Sequence, residues 1–362
     1  MAFTGYNIFP GLTTIGVVNS AVQELAVNFN LEALNALSAP SPETAAWAEI
    51  AGVTPAIFRG KVPIDFTALD GFEPFKGVRT FKQVDVAAIQ IDVVPWDRNI
   101  EWPIEWMMAG PDLQQILGGL SNKAANLVAH ARIMKARLAA TIFMQGTPST
   151  NLAQVYLGNT IPGAGLSLFN TAHYANPLLP LAETRTFSNY HAAAGKLTPT
   201  TFGTTRTDMA QIPSPALSAE TLGLQVTDVI GPTYMQEVFR NIALQNLYLQ
   251  TTTSPGNLAA ATTNIYVSGV TPCRFWIAPQ LDADPYVAAN PGKHMWIAVS
   301  RTLAGARPVE MVAPSTEFMP KLQLFGDGSE MAAMTQKIHL IGDLKAGAAA
   351  GLPHVCARYE ET

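Results

Sequence analysis

The six histidines are the first place to look for chemistry, because imidazole both ligates metals and titrates near neutrality. They stand at 130, 173, 191, 294, 339 and 354, with no His-Glu-x-x-His and no other spacing that pairs two rings on one metal. Each reads as structural. Cys273 and Cys356 are too few for a disulfide framework and lack ligand spacing, so they read as reduced thiols. Asp282 with Asp284, or Asp327 with Glu330, could hold a cation through oxygen ligands. Asp before Gly or Pro is ordinary turn chemistry, and that reading is the stronger one. Gly165-Leu166-Ser167-Leu168 is followed by Phe169 where a serine-hydrolase elbow needs glycine. No Gly-Lys-Ser/Thr follows Gly158 to Gly165, which excludes a P-loop. Neither a catalytic residue nor a metal ligand nor a cofactor is assigned, and the chain is not read as an enzyme.

Two groups of side chains invite a role in binding. The first is aromatic: Phe72, Phe75, Trp96, Trp102 and Trp106 lie in one extended region and are candidates for contact with a neighbouring subunit. The second is basic. No acidic residue occurs between Asp112 and Glu183, while Lys123, Arg132, Lys135 and Arg137 all fall within that gap on one helix. They are candidates for weak phosphate contact, with pairing to Asp92, Glu101 or Glu105 as the structural alternative.

The whole-chain composition constrains both. Among 362 residues, 48% are hydrophobic and only 14% charged, against the ~25% charged of an average domain. Neutral polar side chains, or apolar surface covered by another subunit, must therefore fill the exterior. A net charge of −5 argues against a dedicated nucleic-acid binder. No basic segment with an apolar core follows Met1, and no apolar run reaches the ~18 residues of a membrane span. The expectation is a soluble protein made in the cytoplasm.

The elements that position these groups are legible in part. Val22, Ala26, Phe29, Ala33 and Leu37 predict a helix over 20 to 38, and Ser41-Pro42 starts a short second one through Trp47. From Thr54 to Trp106 the period is two. It reverses phase around Ala87-Ala88, which predicts a bulge, and then Ile100, Trp102, Ile104 and Trp106 form a return strand that Pro103 demotes to an edge. Such a strand pair is marginal alone and must rest on something else.

Pro111 to Gln145 is the strongest element. Leu113, Leu117, Leu120, Ala124, Leu127, Ala131, Met134 and Leu138 step by four and three, which predicts a helix roughly 50 Å long. Lys123, His130 and Arg137 flank one edge of that stripe, Arg132 and Lys135 the other, and Ala125, Ala129, Ala136 and Ala140 line the back. A back so small can be approached closely. Residues 147 to 217 read as loop, a helix follows Pro232 through about Gln250, and Thr263 to Ala278 and His294 to Val299 read as buried strands. Short strands follow Arg307, the last over His354 to Tyr359.

This order, apolar arm, long hairpin, spine helix, loop-rich mixed region and returning strands, resembles the Hong Kong 97-like major capsid fold of tailed bacteriophages. Leu168-Phe169-Asn170-Thr171-Ala172-His173-Tyr174-Ala175-Asn176-Pro177, and Phe325-Gly326-Asp327-Gly328 to Gly351-Leu352-Pro353-His354, are similar to the Mu-like major head subunit group. The resemblance implies an α+β chain with an N-terminal arm (1–53), an extension loop built as a β hairpin (54–106), a peripheral domain with its spine helix (107–150) and return strands (307–362), and an axial domain (151–306). It implies a structural protein of the virion capsid whose partners are its own copies in hexamers and pentamers, packaged double-stranded DNA, and portal, scaffold or cement proteins. Residues 178 to 217 depart from the pattern in length and proline content. An encapsulin-type compartment shares the fold but encloses protein, and a soluble enzyme is the alternative of a different class.

Overall fold

The computed structural model describes residues 12–15, 47, 50–56, 59–65, 86–105, 113–148, 156–157, 166–176, 184–215, 220–244, 247–250, 260–263, 273–303, 305–314, 321–326 and 329–362. The helix expected over 20 to 38 lies outside them, as do Phe72, Phe75 and Trp106. In chain order come β1 (Leu12–Ile15), β2 (Ala51–Pro55), β3 (Arg59–Asp65), β4 (Val86–Asp92), β5 (Val94–Pro103) and the long α1 (Leu113–Gln145). The middle holds β6 (Tyr156–Leu157), β7 (His173–Tyr174), β8 (Thr186–Phe187), β9 (Tyr190–His191), α2 (Pro199–Ala210), β10 (Asp228–Gly231), α3 (Gln236–Leu244), β11 (Leu247–Gln250), β12 (Ala260–Thr263), β13 (Arg274–Ile277), α4 (Pro285–Ala289) and β14 (Met295–Val299). Last are β15 (Val309–Ala313), β16 (Lys321–Phe325), α5 (Glu330–Thr335), β17 (Lys337–Ala350) and β18 (Cys356–Glu360).

The extended region differs from the sequence expectation in two ways. β3 and β4 form the hairpin, paired without interruption from Arg59↔Asp92 to Asp65↔Val86, so there is no bulge at Ala87-Ala88. Alanine suits either face of a sheet, so the reversal is one of hydropathy and not of backbone. The return strand β5 leaves the hairpin altogether. It pairs antiparallel with β17 over ten residues, from Val94↔Ala346 to Pro103↔Lys337, and with no other described strand. Its edge position is the one Pro103 demands.

β17 is the axis of a six-stranded sheet of order β1-β16-β17-β15-β2, with β5 also on β17. Along β17 the even residues from Ile338 to Ala346 are buried and the odd ones are not, which is the signature of a sheet covered on one face. The second sheet, β9-β18-β14-β10-β13, is covered on both: Met295 to Val299 are all buried. The chain enters this sheet up to Val299, crosses to the first for β15 to β17, and comes back, because β18 pairs with β14 from Met295↔Glu360 to Val299↔Cys356. The alternation of Cys356, Arg358 and Glu360 with Ala357 and Tyr359, all buried, suits a strand covered on both faces.

α1 lies between the sheets, and one apolar cluster joins them through it. Ala136, Ala139, Ala140 and Phe143 are fully buried with Val309, Met311 and Leu344 of the first sheet and Ile230, Met295 and Ile297 of the second. The small back face expected from Ala136 and Ala140 is thus the contact along the C-terminal half, where alanine lets backbones approach. A second cluster covers the far face of the second sheet with Phe202 and Met209 of α2 and Phe239 and Ile242 of α3. α2 falls where the sequence read loop; Thr198 starts it with a capping box to Thr201 and Pro199 sits in its first turn. α3 ends at Leu244, short of Gln250, because Leu247 and Leu249 alternate in β11 against β12. The hairpin base rests on β15 through Ile89, Ile91 and Val312. There a Cβ on Gly60 would collide with the Val312 side chain, so glycine permits the approach.

Candidate functional site

Strand alternation decides what the β5–β17 ribbon offers. Residues directly opposite share a face, so Val94, Trp96, Arg98, Ile100 and Trp102 join Ala346, Leu344, Gly342, Leu340 and Ile338 on the face that α1 crosses. Leu127 of α1 comes down over Gly342. Trp102, a candidate for packing on a neighbour or on its own spine helix, is 1% exposed in the single chain and so lies within the chain's own core. Trp96 differs. It stays 39% exposed beside Val94 at 47%, with its indole N–H donating to the Ala346 carbonyl at 3.2 Å. The two form an uncovered apolar end to this face, next to the exposed Arg98.

Asp97, Asn99 and Glu101 take the opposite face. Glu101 pairs with Lys337 and stands 3.9 Å from His339, and Lys337 holds its carboxyl below the usual range. The alternative in which Glu101 neutralises the helix cations is therefore not what the ribbon provides. The four candidate cations also separate. Lys123 and Arg137 are exposed on one edge of α1. Lys135 is half-buried on the other, where burial and then the Arg307 charge lower its pKa. The Arg132 side chain lies outside the described residues. Lys123 instead meets three residues that sequence reasoning left out of the set, Arg98, Asn126 and His130, around a cleft of about 280 Å³ also lined by Asn99, Ile100 and Leu127. The seven-residue steps from Lys123 to His130 to Arg137 were the available signal; Arg98 had none, because its strand partner is far away in sequence.

Three polar clusters tie the fold together. Asp228, fully buried, accepts from Arg274 Nε at 3.0 Å and Trp276 Nε1 at 2.8 Å on one oxygen, and from Arg301 Nε at 2.6 Å and Thr227 Oγ1 at 2.7 Å on the other. Arg358, 1% exposed, forks onto Asp284 at 2.7 and 2.8 Å, donates to Glu360 at 2.7 Å, and reaches the Phe143 carbonyl near the end of α1 at 3.3 Å. Asp284 also caps α4 through Tyr286 N, while Asp282 accepts from Thr233 N at 2.7 Å and Thr233 Oγ1 at 2.6 Å, so both carboxylates serve turns and caps. The third cluster joins the two segments quoted for the Mu-like resemblance. His354 bonds the Ala175 carbonyl at 2.9 Å, and Asn189 donates to the carbonyls of Leu168 and Pro353 at 2.8 and 3.0 Å. His173 bonds the Leu168 carbonyl at 3.0 Å and stacks on Phe187. Burial pulls His173 down to about 3, helped by His354, and His354 to about 4.

No protein-family model matches the chain, and no curated protein matches its sequence. Among solved structures it is similar to the procapsid of bacteriophage JBD30, at 13% identity over 96% of this chain and 77% of that one, with a TM-score of 0.45. It is similar also to the capsid of Myoviridae phage XM1 (13%, 90% and 94%, 0.43) and to the capsid of an empty GTA particle (12%, 90% and 92%, 0.45). Superposition at this level assigns neither family nor function. Among the described residues no helix is long and apolar enough to cross a membrane, and no three His, Cys, Asp or Glu side chains gather as metal ligands.

Proposed function

We propose that the chain is a shell-building subunit, the major capsid protein of a tailed bacteriophage of the Hong Kong 97 type, which assembles with its own copies into hexamers and pentamers around double-stranded DNA. The observation that carries this reading is the outer end of β5. A ten-residue strand pairs on one side only among the described strands, and Val94 and Trp96 stand exposed on the face it shares with the core. Soluble monomers cover such patches. Pro95 and Pro103 deprive this edge of two donors, so a neighbour meets it by packing on Val94 and Trp96 rather than by extending the ladder. A chain with 14% charged residues has the low surface charge that extensive covering by neighbours would require. Lys123 and Arg137 would face the enclosed nucleic acid, and portal, scaffold or cement proteins would complete the head.

The purified protein tests this directly. Sedimentation velocity and negative-stain electron microscopy should show closed hollow particles, and a stable monomer at micromolar concentration would sink the reading.

A further inference from the structure

From the geometry we infer that the cleft between β5 and α1 is a binding site for a phosphate-class oxyanion, formed by Arg98, Lys123, Asn126 and His130. The source named here, a nucleic-acid backbone, rests on the shell reading above; the oxyanion chemistry does not.

Four features converge on it. The cleft, about 280 Å³, is lined by two permanent cations, an imidazole and the Asn126 amide above the apolar floor of Ile100 and Leu127, with no carboxylate in its lining. Strand alternation turns Asp97 and Glu101 to the other face of the ribbon, where Asp97 accepts from Asn99 and Glu101 is committed to Lys337. Arg98, Lys123 and Arg137 have no ion pair with any other described residue. Burial first, and then the charges of Arg98 and Arg137, lower the pKa of His130, so both cations bear on this imidazole. Like charges gathered in a concave site without counter-charge repel one another and focus field into the cleft, and an anion relieves that cost. The Asn126 amide adds a neutral N–H donor, which suits a phosphate oxygen. Rigid elements hold the site: α1 is fixed on the sheet by Leu127 against Gly342, in register with Arg98.

The test uses fluorescence anisotropy of a short labelled DNA duplex, titrated with the purified protein across a salt series. Arg98→Gln with Lys123→Gln should weaken binding severalfold and flatten the salt dependence by about two phosphate contacts. Arg240→Gln, an exposed cation on α3 remote in sequence from the cleft, should change it little. Tripolyphosphate should compete with the duplex for the wild type. Thermal melting and electron microscopy of the same variants confirm that each still folds and show which of them form particles. An unchanged salt slope in the double variant, or an equal loss with Arg240→Gln, overturns the site. Tripolyphosphate binding that depends on Arg98 and Lys123 without duplex binding overturns the nucleic-acid source. Particles absent from the wild type would count against the shell reading alone, since the dissociated subunit still presents the cleft.

Discussion

Arg358 shows what one side chain can hold together. It is the only described cation hydrogen-bonded to both Asp284 and Glu360, and all three are buried, so the guanidinium links α4, the last strand and the end of α1. Replacing it with leucine leaves two buried carboxylates without a counter-charge, which costs about 3–5 kcal/mol. Denaturant midpoints should show this loss, and Arg358→Lys, which keeps the charge but not the fork, should recover only part of it. His173 and His354 make a second residue-scale prediction. Their folded pKa values of about 3 and about 4 lie below the ordinary 6.5, so between those limits the unfolded chain binds more protons than the folded one. Stability is then fully present above about pH 6.5 and falls as pH drops, by about 2–3 kcal/mol per histidine near pH 4.5. Glu310 acts in the opposite direction. Burial raises it to about 7, so its share of stability declines as pH rises from 4.5 to 7, but one carboxyl does not offset two imidazoles. Urea midpoints at about pH 7 and pH 4.5 check the sum, and an acid-insensitive midpoint would contradict it. Spacing alone marks both residues only as structural, since neither the Ala175 carbonyl nor Phe187 can be matched to His354 by it.

At the scale of elements, β5 separates two tryptophans that look alike in sequence. Alternation puts Ile100 and Trp102 on one apolar face, of which Trp102 is buried and Ile100 partly so; it cannot say which strand lies beside them, because period two carries no partner information. The partner turned out to be β17, more than two hundred residues on. Trp102→Ala should therefore cost the fold about 3–5 kcal/mol, as core aromatic truncations do. Trp96→Ala should leave melting nearly unchanged, losing one hydrogen bond to Ala346, and should lower assembly in sedimentation. Equal damage to melting by both would place Trp96 in the private core as well. The long helix was the most legible element, since thirty-three residues of regular stepping leave little ambiguity. α2 was missed because its interior holds Thr and Gly where helix formers are usual, and the capping box at Thr198 is its one strong signal.

At the scale of the whole molecule, the two largest sheets among the described residues are fastened through α1, with the chain crossing from the second to the first and back. Composition and pattern made the α+β class and the extended region legible. The crossing was not, because it is set by pairings such as Met295↔Glu360 that no local window contains. The return of β18 has a consequence in time. Translation proceeds from one end, and β14, β10 and β13 wait with one flank of β14 open until residues 356–360 have left the ribosome. Until then Arg358 cannot reach Asp284, and the α1 end near Phe143 lacks its lock. A subunit still being synthesised is thus held short of its finished shape by its own topology. If copies assemble as proposed above, order of manufacture, and not only affinity between finished copies, would keep polysome-bound neighbours from locking together too early.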